Sequence, residues 1–482
     1  MTRLVWFRND LRTIDNPALH YCCEGEVEEA SRANSIRVAA IYVLCQEYID
    51  THPIGEKKLG FIKNALLNLS SDLAQLGIVL DVLYVERKRD IAESVADYCQ
   101  KWKVTDVYLN KEYPLDERER DRDVEKRCLE EDIAFHSYHD RCLIPPGAVK
   151  TQAGSYYKVF TPFSKAWLQL ARATDFTVYP RPSSVREPVD VAHRAIEAVF
   201  LNVTKEGNSS LWPADEKSAL EALRTFTKNH IVDYHNYRDI PSELGTSKIS
   251  PYLTVGLLSP KQCYIAARQA DASGNSQGVS TWLNELIWRE FYMHVVAIFS
   301  KVCKGFPLIT YTENIPWRDS EADFEKWCAG ITGIPIVDAA MRQLNSTGWM
   351  HNRLRMVVAM FLTKNLLIDW RKGEAYFMSQ LIDGDFSANN GGWQWCASTG
   401  TDSAPYFRVM NPVAQSERYD PKGDFIRQWV PELAHLDNKK IHNPSGVNGY
   451  PEAMVDLKST RKEAIAVFKS AKDAVTGEYN EL

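Results

Sequence analysis

Residues 381–412 crowd small polar side chains against large planar ones. Asp383 and Asp385 flank Gly384, and Asn389, Asn390, Gly391 and Gly392 lead directly into Trp393 and Trp395. Carboxylates and amides suit the polar edge of a flat heterocycle, and glycine lets backbone approach its face. The paired Asn and Gly residues also oppose helix and strand, so no regular element is expected here. A plain surface turn is the competing reading, but turns seldom carry this much aromatic area.

Three other stretches carry candidate chemistry. In residues 245–251 (GTSKISP), Thr246, Ser247 and Ser250 lead into an apolar helical run. Their hydroxyls suit N-capping, the favoured reading on these residues alone, or a phosphate at a helix start. In residues 281–299 a strong helical pattern puts Glu285, Trp288, Arg289 and Tyr292 on one stripe. That stripe suits a cavity for an aromatic ligand, and equally an intrahelical Glu285–Arg289 pair beside buried rings. In residues 348–356 (GWMHNRLRM), His351 and Arg355 share one helical face, with Asn352 and Met356 on the adjoining one. Arg353 and Arg355 suit phosphate contacts, while His351 reads as a satisfied structural residue. Trp317, Trp370 and Trp393 share no local pattern, and each reads as core.

A chain of 482 residues implies two or three domains with ample core to hold these groups. The first 135 residues alternate strands, at 4–7, 38–44, 79–85 and 104–109, with helical patterns at 57–76 and 91–102. This predicts an α/β domain with a doubly wound parallel sheet over residues 1–135. No GxGxxG follows the first strand and no P-loop occurs, which excludes the usual dinucleotide and NTP fingerprints. Residues 136–210 are rich in proline, with one short helical pattern at 163–171, and read as a connector lying across the surface. Residues 211–482 read as one large all-α domain, ending in a charged helix at 459–482 that frays.

The net charge of −6 gives no global pull toward nucleic acid, so such binding needs a local basic face. Residues 341–373 offer one, with Arg342, Arg353, Arg355, Lys364, Arg371 and Lys372 against Asp369, although charge alone suggests a solvated helix face. Nine of the 13 tryptophans lie from Trp282 onward, so the demand for large π systems sits in the C-terminal half. Ten scattered cysteines without a CxxC suggest neither a metal site nor a disulfide framework, and a reducing cytoplasm. No signal peptide is apparent at the N-terminus, and the longest apolar run in the basic stretch, at 356–362, is too short to span a bilayer.

The stretches LVWFRNDLR (4–12), WLNELIWREFY (282–292), TGIPIVDAAMRQLNSTGWMHNRLRM (332–356), DGDFSANNGGWQW (383–395) and FIRQW (425–429) together resemble the photolyase/cryptochrome family. Within it the chain is similar to bacterial class I cyclobutane pyrimidine dimer photolyases with a folate antenna. Residues 183–210 and the last fifty match least.

The resemblance implies an N-terminal α/β domain, a long connector, and an α domain that holds FAD. FAD would contact Tyr234, Thr246, Ser247, Ile249, Ser250, Asn352, Arg355, Asp383 and Asp385, with Asn389 at the flavin N5 edge favouring the reduced, anionic state. The partner would be DNA containing pyrimidine dimers. Glu285 would hydrogen-bond the flipped dimer, Trp288 and Trp395 would wall it, and Met356 would pack below, near Tyr292 and Asn352. Arg238, Arg289, Arg353 and Gln415 would hold the flanking strand, with the basic stretch supplying an electropositive face. Trp393, Trp370 and Trp317 resemble the relay that photoreduces oxidised flavin. His52, Asp116, Glu117, Cys303 and Lys304 resemble the contacts of 5,10-methenyltetrahydrofolate, with Asp116 standing where the family has Asn. A deazaflavin is the alternative antenna. The resemblance further implies a monomer with no obligate protein partner, cytoplasmic and meeting the nucleoid through DNA.

Two rivals follow from the same family. A (6-4) photolyase would have histidines where this chain has Asn352 and Met356. A blue-light-sensing cryptochrome would more often carry a long low-complexity tail, and none occurs here.

Overall fold

The computed structural model describes residues 2–25, 37–189, 191, 193–201, 203, 204, 211–271 and 273–478. Five parallel strands, β1 (Thr2–Phe7), β2 (Arg37–Cys45), β3 (Val79–Val85), β4 (Val104–Asn110) and β5 (Ala134–Tyr138), form one sheet in the order β3-β2-β1-β4-β5. Leu4, Val5, Trp6 and Phe7 are all buried, because helices cover both faces of a central parallel strand. That double cover is why β1 reads as a continuous apolar run instead of an alternating one. β5 runs through Tyr138, past the expected domain boundary at 135. It is an edge strand and mostly half-buried, so it lacks the apolar signal of its neighbours.

The connector is more than a surface strap. Its helix Phe160–Ala173 buries Phe163, Trp167 and Ala171 against Ile287, Phe291 and Val295 of the long helix Gln277–Ile298. Trp167 Nε1 donates to Glu290 at 2.7 Å, and Leu143 and Ile144 donate their N–H groups to the same carboxylate. Burial still pushes the Glu290 carboxyl up to about 7. Among the described residues 211–478 there is helix and loop but no strand. The terminal helix Leu457–Glu478 packs through Ala464, Phe468 and Ala471, and the expected fraying at 479–482 lies outside the described residues. All ten cysteines are free.

Two expectations are corrected here. Residues 386–397 form a regular helix, Phe386–Ala397, in spite of the paired Asn and Gly. Asp385 caps its start by accepting from Ala388 N–H at 3.0 Å, and Ser398 ends it in the left-handed region. Gly391 serves close packing, since a Cβ there would come within 2.1 Å of the Tyr292 ring on the helix Gln277–Ile298. The basic stretch is likewise no cationic face. Lys364 is fully buried, donating to Ala397 O and Ser398 Oγ in a short π-helical turn beneath the Phe468 ring. Arg342, Arg371 and Lys372 pair with Glu432, Asp369, and Asp319 and Glu321.

Candidate functional site

A cavity of about 510 Å³ opens among the helices of residues 211–478. Its lining includes Tyr234, Thr246, Ser247, Ile249, Ser250, Asn352, Arg355, Asp383, Asp385 and Asn389, so every residue expected to hold FAD meets there. Arg238, Glu285, Trp288, Arg289, Tyr292, Arg353, Met356 and Trp395 line the same space. Gln415 does not; it sits half-buried on the helix Pro412–Tyr419. Among the described residues, no histidine lines the cavity.

The stripe read from residues 281–299 is a cavity wall. Glu285 does not pair with Arg289: its Oε1 accepts from Arg238 Nη1 at 2.7 Å, and Arg289 Nη1 donates to Arg141 O at 2.7 Å. Burial raises the Glu285 carboxyl above its ordinary value against the pull of Arg238. Asp239 accepts from Arg353 at 2.8 Å and lies 3.8 Å from Arg238, linking the two arginines. His351 caps the helix Asn352–Met360 by accepting from Arg353 N–H at 3.2 Å. Burial pushes the imidazole down to about 4, so it stays neutral, as its structural reading predicts.

Asp383 and Asp385 are held differently. Arg355 Nη2 grips both Asp383 oxygens at 3.0 and 2.8 Å. Asp385 accepts from Arg141 of the connector at 2.8 Å. Burial opposes its charge, but Arg141, Arg289, the Ala388 N–H and Lys58 together hold this carboxyl below its ordinary range. Asn389 Nδ2 donates to Glu374 O at 3.0 Å, and Asn390 Nδ2 to Glu374 Oε1 at 2.9 Å, which fixes both amides. At residues 245–251 the hydroxyls do not cap. Ile249 is the residue before the helix Ser250–Val255, and no side chain bonds to its start.

Trp393 and Trp370 are buried, and Trp317 is half-buried against Phe468. A Cβ on Gly373, in the helix Trp370–Gln380, would come within 2.1 Å of the Trp393 ring, so these two helices touch at the indole. Trp393 also meets Phe377 at 5.0 Å and Trp327 at 6.1 Å. Sequence reasoning missed Trp327, Arg141, Asp239 and Glu374. Each acts mainly through partners distant in the chain, and no local pattern marks it.

A second, smaller cavity of about 150 Å³ lies near the carboxyl ends of β1 and β4, where the strand order reverses. His52 and Glu117 line it with Trp6, Tyr48, Arg120 and Phe386. Asp116 adjoins through His52 at 3.4 Å and Lys88 at 2.5 Å, and those two neighbours hold its carboxyl well below its ordinary range despite burial. Cys303 and Lys304 do not line it; they lie on the turn Ser300–Lys304, Lys304 exposed. Asp385 and Thr254 line both cavities, so they form part of the partition.

This fold, a parallel sheet joined to a helical body with a large polar and aromatic cavity, is shared with solved photolyases and a cryptochrome. It resembles a bacterial class III photolyase from Agrobacterium tumefaciens, 31% identical with a TM-score of 0.87 over 98% of each chain. An archaeal photolyase from Sulfolobus tokodaii with two FAD molecules is 30% identical, TM-score 0.81, over 98% of this chain and 100% of that one. A Synechocystis cryptochrome is 26% identical, TM-score 0.85, over 97% and 99%. Residues 3–183 match the family described as DNA photolyase, and residues 282–470 match the FAD binding domain of DNA photolyase. Relatives named deoxyribodipyrimidine photo-lyase, from Vibrio cholerae and Escherichia coli, are each 43% identical over 98% of this chain and 100% and 99% of theirs. The chain belongs to the DNA photolyase family.

Proposed function

We propose that this chain is a deoxyribodipyrimidine photo-lyase that splits cyclobutane pyrimidine dimers in DNA under light. The observation that carries the proposal is one cavity shared by the whole expected FAD set and by Glu285, Trp288 and Trp395. Its donors fit FAD. Three hydroxyls stand uncommitted to capping beside a helix start, as a pyrophosphate requires. The amides of Asn389 and Asn390 are fixed from behind, and Gly392 leaves open space where a Cβ would stand.

Reduced FAD, when bound, supplies the photochemistry, an electron lent to the dimer and returned after the ring opens. The chain's own residues do the rest. Asn389 would hold the N5 edge, and Arg355 with Asp383 fixes the polar side of the cavity. Trp288 and Trp395 offer flat faces to the two pyrimidines. Glu285, whose carboxyl burial raises above its ordinary value against the pull of Arg238, would hydrogen-bond the dimer once Arg238 turns from it to a phosphate. Trp393, Trp370 and Trp317 would pass electrons inward to oxidised flavin, the outermost oxidised indole being refilled by a reductant in solution such as a thiol. The absence of histidine from the lining favours the cyclobutane dimer over the (6-4) lesion. The identity to relatives named photo-lyases favours repair over cryptochrome signalling.

The second cavity is the antenna site in this reading, and 5,10-methenyltetrahydrofolate is its chromophore. Lys88 supports that assignment, because it neutralises the carboxylate that Asp116 brings in place of Asn. The enzyme acts as a monomer without an obligate protein partner, in the cytoplasm, where ten free cysteines stay reduced and the nucleoid is at hand. Among the described residues no helix is long and apolar enough to cross a membrane. Dark binding to matched duplexes with and without one thymine dimer tests the proposal. A clear preference for the dimer supports it, and equal affinities contradict it.

A further inference from the structure

Phe160 stacks face to face on Trp288, with ring centroids 3.7 Å apart and planes 5° from parallel. Trp288 lines the large cavity and Phe160 does not, so the phenyl ring covers one indole face from outside. Phe291 closes the edge of both rings, at 5.7 Å from Trp288 and 5.8 Å from Phe160. The backbone around Phe160 is tied elsewhere. Lys158 O accepts from Asp402 N at 3.0 Å and from Thr401 Oγ1. Thr401 and Asp402 follow the helix Phe386–Ala397, which carries Trp395. Residues 158–160 therefore join the helix that carries Trp288 to the loop that follows the helix carrying Trp395.

We infer that Phe160 is a positioning residue for lesion recognition. It locks the Trp288 ring, and its segment sets the gap between the two indoles. An indole free to turn loses that freedom when it clamps a ligand, and prior stacking removes the cost from the binding step. The inference rests on the reading of Trp288 and Trp395 as lesion walls. It adds that a connector residue outside the cavity decides how well they discriminate.

The test uses the full-length, FAD-loaded protein and variants Phe160→Ala, Phe160→Leu and Phe160→Tyr. Dark dissociation constants are measured for a duplex with one thymine dimer and for the same duplex without it. Phe160→Ala weakens dimer binding about three- to tenfold, as expected for one aromatic pair. Affinity for undamaged DNA and repair per photon at saturating DNA stay unchanged. Phe160→Leu keeps apolar bulk without a flat face and follows Phe160→Ala, whereas Phe160→Tyr restores the wild-type constant. The inference is overturned if Phe160→Ala or Phe160→Leu binds the dimer like wild type, if both DNAs are lost equally, or if Phe160→Tyr fails to restore. Trp288→Ala, run alongside, isolates the underlying reading: full dimer preference there removes the lesion wall itself, whatever the Phe160 variants do.

Discussion

Arg238 Nη1 donates to Glu285 Oε1 at 2.7 Å inside the cavity that both line. In the proposed function the pair would keep a half-buried carboxyl partnered until a lesion arrives, and the arginine would serve next as a phosphate contact. Exchange of partners would then couple strand binding to the release of Glu285 toward the dimer. Glu285→Ala removes a charge-assisted hydrogen bond of about 1.5–3 kcal/mol, so repair per absorbed photon falls about tenfold or more. FAD content, read from the spectrum of the purified variant, stays at the wild-type level. Unchanged repair per photon would take Glu285 out of the chemistry.

Trp317 stands at the half-buried end of the proposed relay, and Trp393 lies at the cavity. An indole gives up one electron readily and a phenyl ring does not. Trp317→Phe therefore blocks photoreduction of oxidised flavin but spares repair once the flavin has been reduced chemically. Absorption during illumination follows the first, and dimer repair with dithionite-treated enzyme follows the second. Persistent photoreduction would route the electron elsewhere, and the Trp393–Trp327 contact at 6.1 Å is where to look next.

Adjacent glycines in one helix make opposite demands. Gly391→Ala drives a Cβ against the Tyr292 ring, and overpacking of this kind costs about 1–3 kcal/mol. Gly392→Ala meets nothing within 4 Å, so the fold tolerates it, and its methyl instead intrudes on the cavity that Gly392 lines. Thermal unfolding separates the two: a lower midpoint for Gly391→Ala only, with altered flavin content or dimer affinity for Gly392→Ala. Equal midpoints for both variants would contradict the packing account.

The central strand β1 was legible because a parallel strand covered on both faces leaves an unbroken apolar run, as in Leu4-Val5-Trp6-Phe7. The FAD and lesion contacts were legible through dense family motifs, and the cavity gathers all of them but Gln415, whereas Trp317, Trp370 and the five antenna residues lie outside it. What stayed hidden depends on partners far along the chain. The helix Phe386–Ala397 reads as a break until Tyr292 is seen filling the space that Gly391 leaves. Lys364 reads as surface charge, yet it lies buried beneath Phe468. Arg141 and Asp239 matter only because folding brings them to Asp385 and to two arginines.

Burial pushes the Glu374 carboxyl up to about 7, against the pull of its bond from Asn390 and the charge of Arg371. Between its ordinary value and about 7, this group binds more protons in the folded state than in the unfolded one. Stability therefore falls as pH rises through that window and levels off above it. Glu374→Gln keeps an acceptor for Asn390 and cannot titrate. Its thermal midpoint should vary less than that of wild type between about pH 5 and about pH 7. Parallel profiles would show that Glu374 titrates normally.

The central claim, that one cavity seats both a reduced flavin and a flipped dimer, is tested most directly by illumination. Purified protein with reduced flavin is mixed with a duplex holding one thymine dimer and exposed to near-ultraviolet or blue light, beside a dark control. Restored thymines, scored by chromatography of the digested strand, should appear only in the lit sample and track absorbed photons. Dimers that persist under light, although FAD is bound and the duplex is saturating, would contradict the account.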